Sequence, residues 1–237
     1  MTFAPVLHDL AGHLSGRDPS RWTEDPVRWA YAVREAVSMV RPTWVVSHFD
    51  PDFEARAIAE LASEPDEVWD VEVLADGPFG PAIELVRTLA GVDRGWTVAA
   101  SVTGPRQTAA SLGERWSVDD LDELQEACGD VAAALVAAYA EAGAREILVW
   151  EPDPVGAAAA HGAITRRAAL ASVPLSLVAP APLDGYARNA VTVPADNPDV
   201  WTAALRGAAP GAVVTTDGPI PGDTSPDVLV ALTAGGS

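Results

Sequence analysis

The chain has 237 residues, 49% of them hydrophobic, and carries a formal net charge of −19 from 34 acidic and 15 basic residues. Every basic residue is arginine, which excludes Schiff-base aldolases, pyridoxal-phosphate enzymes and P-loop NTPases, because each needs a lysine. The negative charge argues against nucleic-acid partners, since polyanions repel one another.

The length suits one large domain or two small ones. With one cysteine, Cys128, no internal disulfide forms. No apolar run reaches the length of a membrane span. The opening MTFAPVLHDLAGHLSG lacks the basic region of a secretory signal, so a cytoplasmic location is expected. The absence of lysine beside abundant Ala, Asp and Glu suggests a GC-rich and salt-adapted origin, with most carboxylates on a solvated surface.

The first residues read as a loop, followed by an amphipathic helix over 27–40 that starts at Thr23-Glu24-Asp25-Pro26 and stops at Pro42. Residues 43–47 read as a buried strand with His48-Phe49-Asp50-Pro51-Asp52 at its carboxyl end. A helix over 53–63, an acidic connection over 64–70, a short strand over 71–74 and a helix over 81–90 follow. The strand 97–102 runs into Thr103-Gly104-Pro105 and a short helix over 106–112. Ser117-Val118-Asp119-Asp120 caps a long helix that reaches Ala142, with a break expected at Gly129. Beyond Gly143 comes the strand 146–150, closed by Glu151-Pro152-Asp153-Pro154. A helix over 156–171, strands over 173–178 and 190–193, a helix over 197–205, a strand over 212–216 and a helix over 225–232 complete the pattern.

About seven strands alternating with helices imply a parallel sheet covered by helices. Two architectures share that pattern, a (β/α) barrel and an open doubly wound sheet. No G-x-G-x-x-G follows the first strand, which weakens the dinucleotide-binding form of the second. The expected organisation is an N-terminal helical segment, 1–40, packed on a single barrel domain, 41–237.

Polar residues stand at the strand ends, where parallel folds place their chemistry. His48 is a candidate acid or base. Asp50 or Asp217 is suited to orient it or to neutralise a cation. Arg106 is suited to hold a substrate carboxylate, with Glu151 and Asp153 as further substrate-binding candidates. Ordinary structure explains each as well: His48 and Asp50 as helix caps, Asp217-Gly218 as a turn, Glu151 and Asp153 as loop acids. His161 is expected to be a surface or packing residue.

Three segments together resemble the uroporphyrinogen decarboxylase superfamily. They are TVAASVTGPRQTAASLG (97–113), the helix–Ala-Gly-Ala–strand–acid run over 139–153, and TTDGPIPGDTSPDVLVAL (215–232). The resemblance covers roughly residues 40–235 and implies a TIM-type (β/α)₈ barrel, here short or partly degenerate. It also implies a lyase or methyltransferase acting on a small organic or tetrapyrrole-related substrate, by decarboxylation or one-carbon transfer.

The chain departs from both branches of that family. Zinc-dependent methyltransferases carry a His-x-Cys after a late strand and a cysteine in the last turn. Here Ala179-Pro180-Ala181-Pro182 and Thr216-Asp217-Gly218 occupy those places, so the usual zinc site is absent and no resident cofactor is expected, a different zinc site on His48, Asp50 and Glu151 being the lesser alternative. The decarboxylases carry an Arg-Gln-Ala-Gly-Arg loop that this chain lacks; Asp50 is the nearest match to their early Asp, and Asp217 stands where they have histidine. The alternative reading is a non-catalytic barrel subunit that binds a corrinoid protein or another enzyme. A homodimer is a further expectation.

Overall fold

The computed structural model describes residues 1–92 and 95–225. Chain order among these begins with β1 (Thr2–Val6), α1 (His8–Ser15), α2 (Pro26–Val40), β2 (Trp44–Val46), α3 (Phe53–Ala59) and α4 (Gly80–Gly91). It continues with β3 (Thr97–Thr103), α5 (Pro105–Trp116), α6 (Asp122–Ala142), β4 (Glu146–Trp150), α7 (Ala158–Ala171) and β5 (Leu175–Val178). The last elements are β6 (Arg188–Asn189), β7 (Val191–Val193), α8 (Pro198–Gly207) and β8 (Val213–Pro219).

Local chemistry sets the element ends. The Asp25 side chain accepts the Arg28 N–H at 3.0 Å and Pro26 supplies the first helical residue, which starts α2. Gly143 ends α6 at φ 107°, a left-handed conformation glycine adopts without strain. The strands β2 and β5 are buried at every position, as expected where both faces of a parallel sheet are covered.

Among the described residues all strand pairs are parallel, in two ladders ordered β2-β3-β4-β5-β6 and β1-β8-β7. Only Ala190 separates β6 from β7, so one extended stretch pairs with β5 on one side and β8 on the other. On the opposite edge, the Thr43 N–H donates to the Phe3 carbonyl at 3.1 Å, between β2 and β1. The fold is α/β, with parallel strands and many helices, consistent with a TIM-like arrangement.

Two apolar clusters follow from strand alternation. The larger lies between strands and helices and includes Val45, Ile147, Val149 and Leu177. The smaller gathers the opposite faces: Ala4, Val6, Trp44, Val46, Ala99, Leu148, Val178, Ala190 and Val213, with Phe49 and Trp150 packed against it. At the amino ends of the strands, Arg188 on β6 pairs with Glu146 on β4 at 2.9 Å and lies 5.4 Å above the Trp44 ring.

The fold differs from the sequence reading in three places. The first residues, expected as a loop, form β1 and α1, so the N-terminal forty residues contribute a strand as well as helices. Residues 71–74 form no strand; their alternating pattern half-buries Val71 and Val73 against the larger cluster without a ladder partner among the described residues. Helix α6 runs unbroken through Gly129, which packs against Ala160 of α7. The helix expected over 225–232 lies outside the described residues from 226 onward.

Candidate functional site

A cavity of about 280 Å³ opens at the carboxyl ends of the strands. It brings together Asp50 from the loop after β2, Glu151 from the end of β4 and Asp217 from β8, three acids far apart in sequence. Phe49 and Trp150 form its aromatic wall, with ring centroids 5.0 Å apart and planes at 80°. Ser101 and Thr103 of β3, Gln107 of α5 and Val178 of β5 contribute to the rest. Among the described residues, no arginine or histidine lines it.

Each acid is held differently. Both Asp50 oxygens accept from the Arg56 guanidinium, at 3.1 and 2.6 Å, and Oδ2 also accepts from the Trp22 indole N–H at 3.2 Å. Burial alone would raise the Asp50 pKa, but Arg56 and Trp22 together hold it below the usual carboxylate value. Arg56 itself faces a neighbouring groove that shares the Phe49–Pro51 wall. Asp217 is exposed, and its Oδ1 accepts the Ala195 N–H at 2.8 Å.

Glu151 is 1% exposed. Its Oε2 accepts the Arg106 backbone N–H at 2.9 Å and lies 3.4 Å from His161 Nε2, while Oε1 is buried with no hydrogen-bond partner among the described residues. Gly104 makes this seat: a Cβ there would collide with Oε2 and come within 2.7 Å of the carboxyl carbon. Behind Glu151, His161 Nδ1 is 2.6 Å from the Tyr186 hydroxyl. The pair His161–Tyr186 thus backs the acid from inside, where a surface or packing histidine was expected. Helix α7 is alanine-rich on most sides, so its sequence did not mark which face would be covered.

His48 does not reach the cavity lining. Its ring stacks on Trp22 at 4.8 Å and meets the Phe53 edge at 5.6 Å, and Nδ1 lies 2.9 Å from Ser47 Oγ. Burial lowers its pKa to about 3, so the imidazole is neutral near pH 7 and the expected titration near neutrality is not available to it. The cause is local. Trp44 and Val46 belong to the smaller cluster by alternation, but the strand ends at Val46, and Phe49 rather than His48 rejoins that side. Arg106 and Asp153 pair with each other at 3.1 Å, and neither lines the cavity. The Arg106 guanidinium packs on Gly156, so it is turned toward the start of α7 and not toward a substrate carboxylate.

Glu54 is a buried acid that the sequence reading passed over. Its Oε1 accepts the Thr103 N–H at 3.0 Å, Oε2 has no partner among the described residues, and burial raises its pKa to about 7. The signal was present: Glu54 shares a helix face with Ala57 and Ile58, both buried. Nearby, burial and then the Glu54 charge keep the Tyr139 hydroxyl protonated.

Among the described residues the side chains do not fit a zinc ion: no three His, Cys, Asp or Glu side chains are grouped to hold one. Asp50 is committed to Arg56, and burial pushes the Cys128 thiol in α6 up to about 12. Among the described residues no helix is long and apolar enough to cross a membrane.

No family model matches the sequence, and no curated protein matches it. Among solved structures, a methyltransferase from Methanosarcina mazei is similar over 97% of this chain and 91% of its own, with a TM-score of 0.67 and 15% sequence identity. At that identity the likeness is one of fold alone, an α/β fold that the two chains share.

Proposed function

We propose that the chain is a uroporphyrinogen-decarboxylase-like barrel protein that binds a small organic substrate in the cavity at its strand ends and takes part in methyl transfer. Hydrogen bonds along both outer edges of the two ladders support the reading as one closed, partly degenerate barrel. The observation that carries the functional reading is the shared cavity of Asp50, Glu151 and Asp217, walled by Phe49 and Trp150. Convergence of distant strand ends on one mouth is how this class of fold builds a site.

Methyl transfer is favoured over decarboxylation on two grounds. Decarboxylation of a pyrrole acetate needs cationic groups to hold the substrate's carboxylates, and Arg106 is paired with Asp153 outside the lining. A volume of about 280 Å³ also lies at the lower end for ligand pockets and suits a small molecule better than a tetrapyrrole. In this reading Glu151 and Asp217 hold and orient the substrate, Phe49 and Trp150 enclose its apolar part, and a corrinoid protein docked at the mouth is the methyl-transfer partner. The test is to mix the protein with methylated substrates and a reduced corrinoid and follow the corrinoid absorbance. Methylation of the corrinoid is expected, slowed roughly tenfold to a hundredfold by Asp217→Asn.

A second reading is a non-catalytic binding subunit. Its support is that Asp50, Arg106, Asp153 and His48 are all engaged by internal partners. Stable complex formation with a corrinoid protein, without any turnover across the substrate panel, would favour it.

A further inference from the structure

We infer that the cavity takes a small organic cation with methyl groups on its nitrogen, with Glu151 as its counter-charge and Phe49 and Trp150 as its aromatic corner. The inference rests on reading the cavity as a ligand site and adds the class of ligand. It starts from Glu151, which lines the cavity, is 1% exposed, and keeps Oε1 without a partner among the described residues. A buried carboxylate oxygen left unpaired is costly unless a charge or donor meets it. The groups that do reach this carboxylate, the Arg106 N–H and His161, both approach Oε2.

The rest of the lining selects the sign of the ligand. Arg56 already neutralises Asp50, but Asp217 receives a neutral backbone N–H, so it adds a second negative charge facing the same space. An anion is repelled there, and a neutral apolar molecule leaves Glu151 Oε1 without a partner. A methylated ammonium suits both halves of the wall. Its charge is attracted to aromatic faces and carboxylates, while its methyl groups pack on the rings and on Val178. A strongly hydrated inorganic cation would gain nothing from the aromatic corner.

The experiment is calorimetric titration of the full chain with three probes: choline, its uncharged isostere 3,3-dimethylbutan-1-ol, and acetate. Choline is expected to bind about tenfold more tightly than the isostere, and acetate not to bind. Glu151→Gln is expected to weaken choline while leaving the isostere unchanged. Phe49→Leu provides an independent variant should the buried Glu151 change disturb folding, and it should weaken choline more than the isostere. Equal or tighter binding of the isostere, or binding of acetate, overturns the cation inference and leaves the cavity as a ligand site. Failure of all three probes at tens of millimolar overturns both.

Discussion

Glu54 and His48 are buried neighbours of the cavity whose titrations oppose one another. Burial lifts Glu54 from the usual 4.5 to about 7. Between those values the folded state holds a proton that the unfolded state has released, so stability falls as pH rises, by roughly 1.4 kcal/mol per pH unit. Burial drops His48 from 6.5 to about 3. Between those values the unfolded state holds the proton, so stability rises with pH at the same slope. The two windows overlap from pH 4.5 to 6.5, where their contributions cancel. Removing one partner exposes the other. In urea unfolding, Glu54→Gln is expected to gain on the wild type as pH rises from 4.5 to 7, by roughly 3 kcal/mol in all. His48→Gln is expected to gain on it as pH falls below 6.5. Parallel pH profiles for wild type and either variant would refute the assignment. At this scale the sequence was only partly readable. Glu151 was visible because a strand-end acid before proline has a fixed place, and Asp217 because it directly follows the buried residues 213–216 of β8. His48 was misplaced because side-chain alternation stops where β2 ends, at Val46, and a sequence does not mark that residue.

Helix α6 packs along α7, and at Gly129 it lies close against the backbone of Ala160. A Cβ at 129 would lie 2.7 Å from the Ala160 carbonyl oxygen and 2.9 Å from its Cα. Backbone atoms cannot swing aside as a side-chain tip does, so the helices themselves would have to separate. Gly129→Ala is therefore expected to destabilise by about 1–3 kcal/mol, although alanine is the better helix former by roughly 1 kcal/mol. At Gly91, the end of α4, a Cβ would meet nothing within 4 Å among the described residues, and Gly91→Ala should be neutral or slightly stabilising. Urea midpoints of the two variants decide the matter: a stabilised Gly129→Ala would mean that the two helices do not approach this closely. The same glycine shows why elements were read better than their contacts. Helix propensity alone makes glycine a candidate break, whereas here it serves packing between helices. The strands β2 to β5 were legible because their apolar runs are bounded by Pro, Gly or acids. Strand β1 was not. Pro5 within TFAPV argues against a strand, and the structure accommodates it by a register shift between Ala4 and Val6 opposite β8.

The gathering of Asp50, Glu151 and Asp217 depends on how firmly the two ladders hold each other. Strand β8 carries Asp217 and sits between β1 and β7, in the smaller ladder. Strands β2 and β4, which lead to Asp50 and Glu151, belong to the larger. If the ladders form one closed ring, β1 and β8 can open only when the whole molecule unfolds. Their backbone amides should then exchange with solvent at the same free energy as those of β3 and β4. If the seam between β1 and β2 is weak, β1 should exchange orders of magnitude faster, since outside its ladder with β8 it is tied there chiefly through Thr43 to Phe3. Native-state hydrogen exchange resolved to single amides distinguishes these cases. Equal protection of Ala4, Val214, Ser101 and Leu148 is the expected result. Deleting residues 1–6 should then abolish cooperative unfolding and, with it, ligand binding in the cavity, because Asp217 would lose the strand that aligns β8. Fast exchange confined to β1 and β8 would mean that Asp217 joins the other two acids only part of the time, and the cavity would have to be redrawn around Asp50 and Glu151 alone.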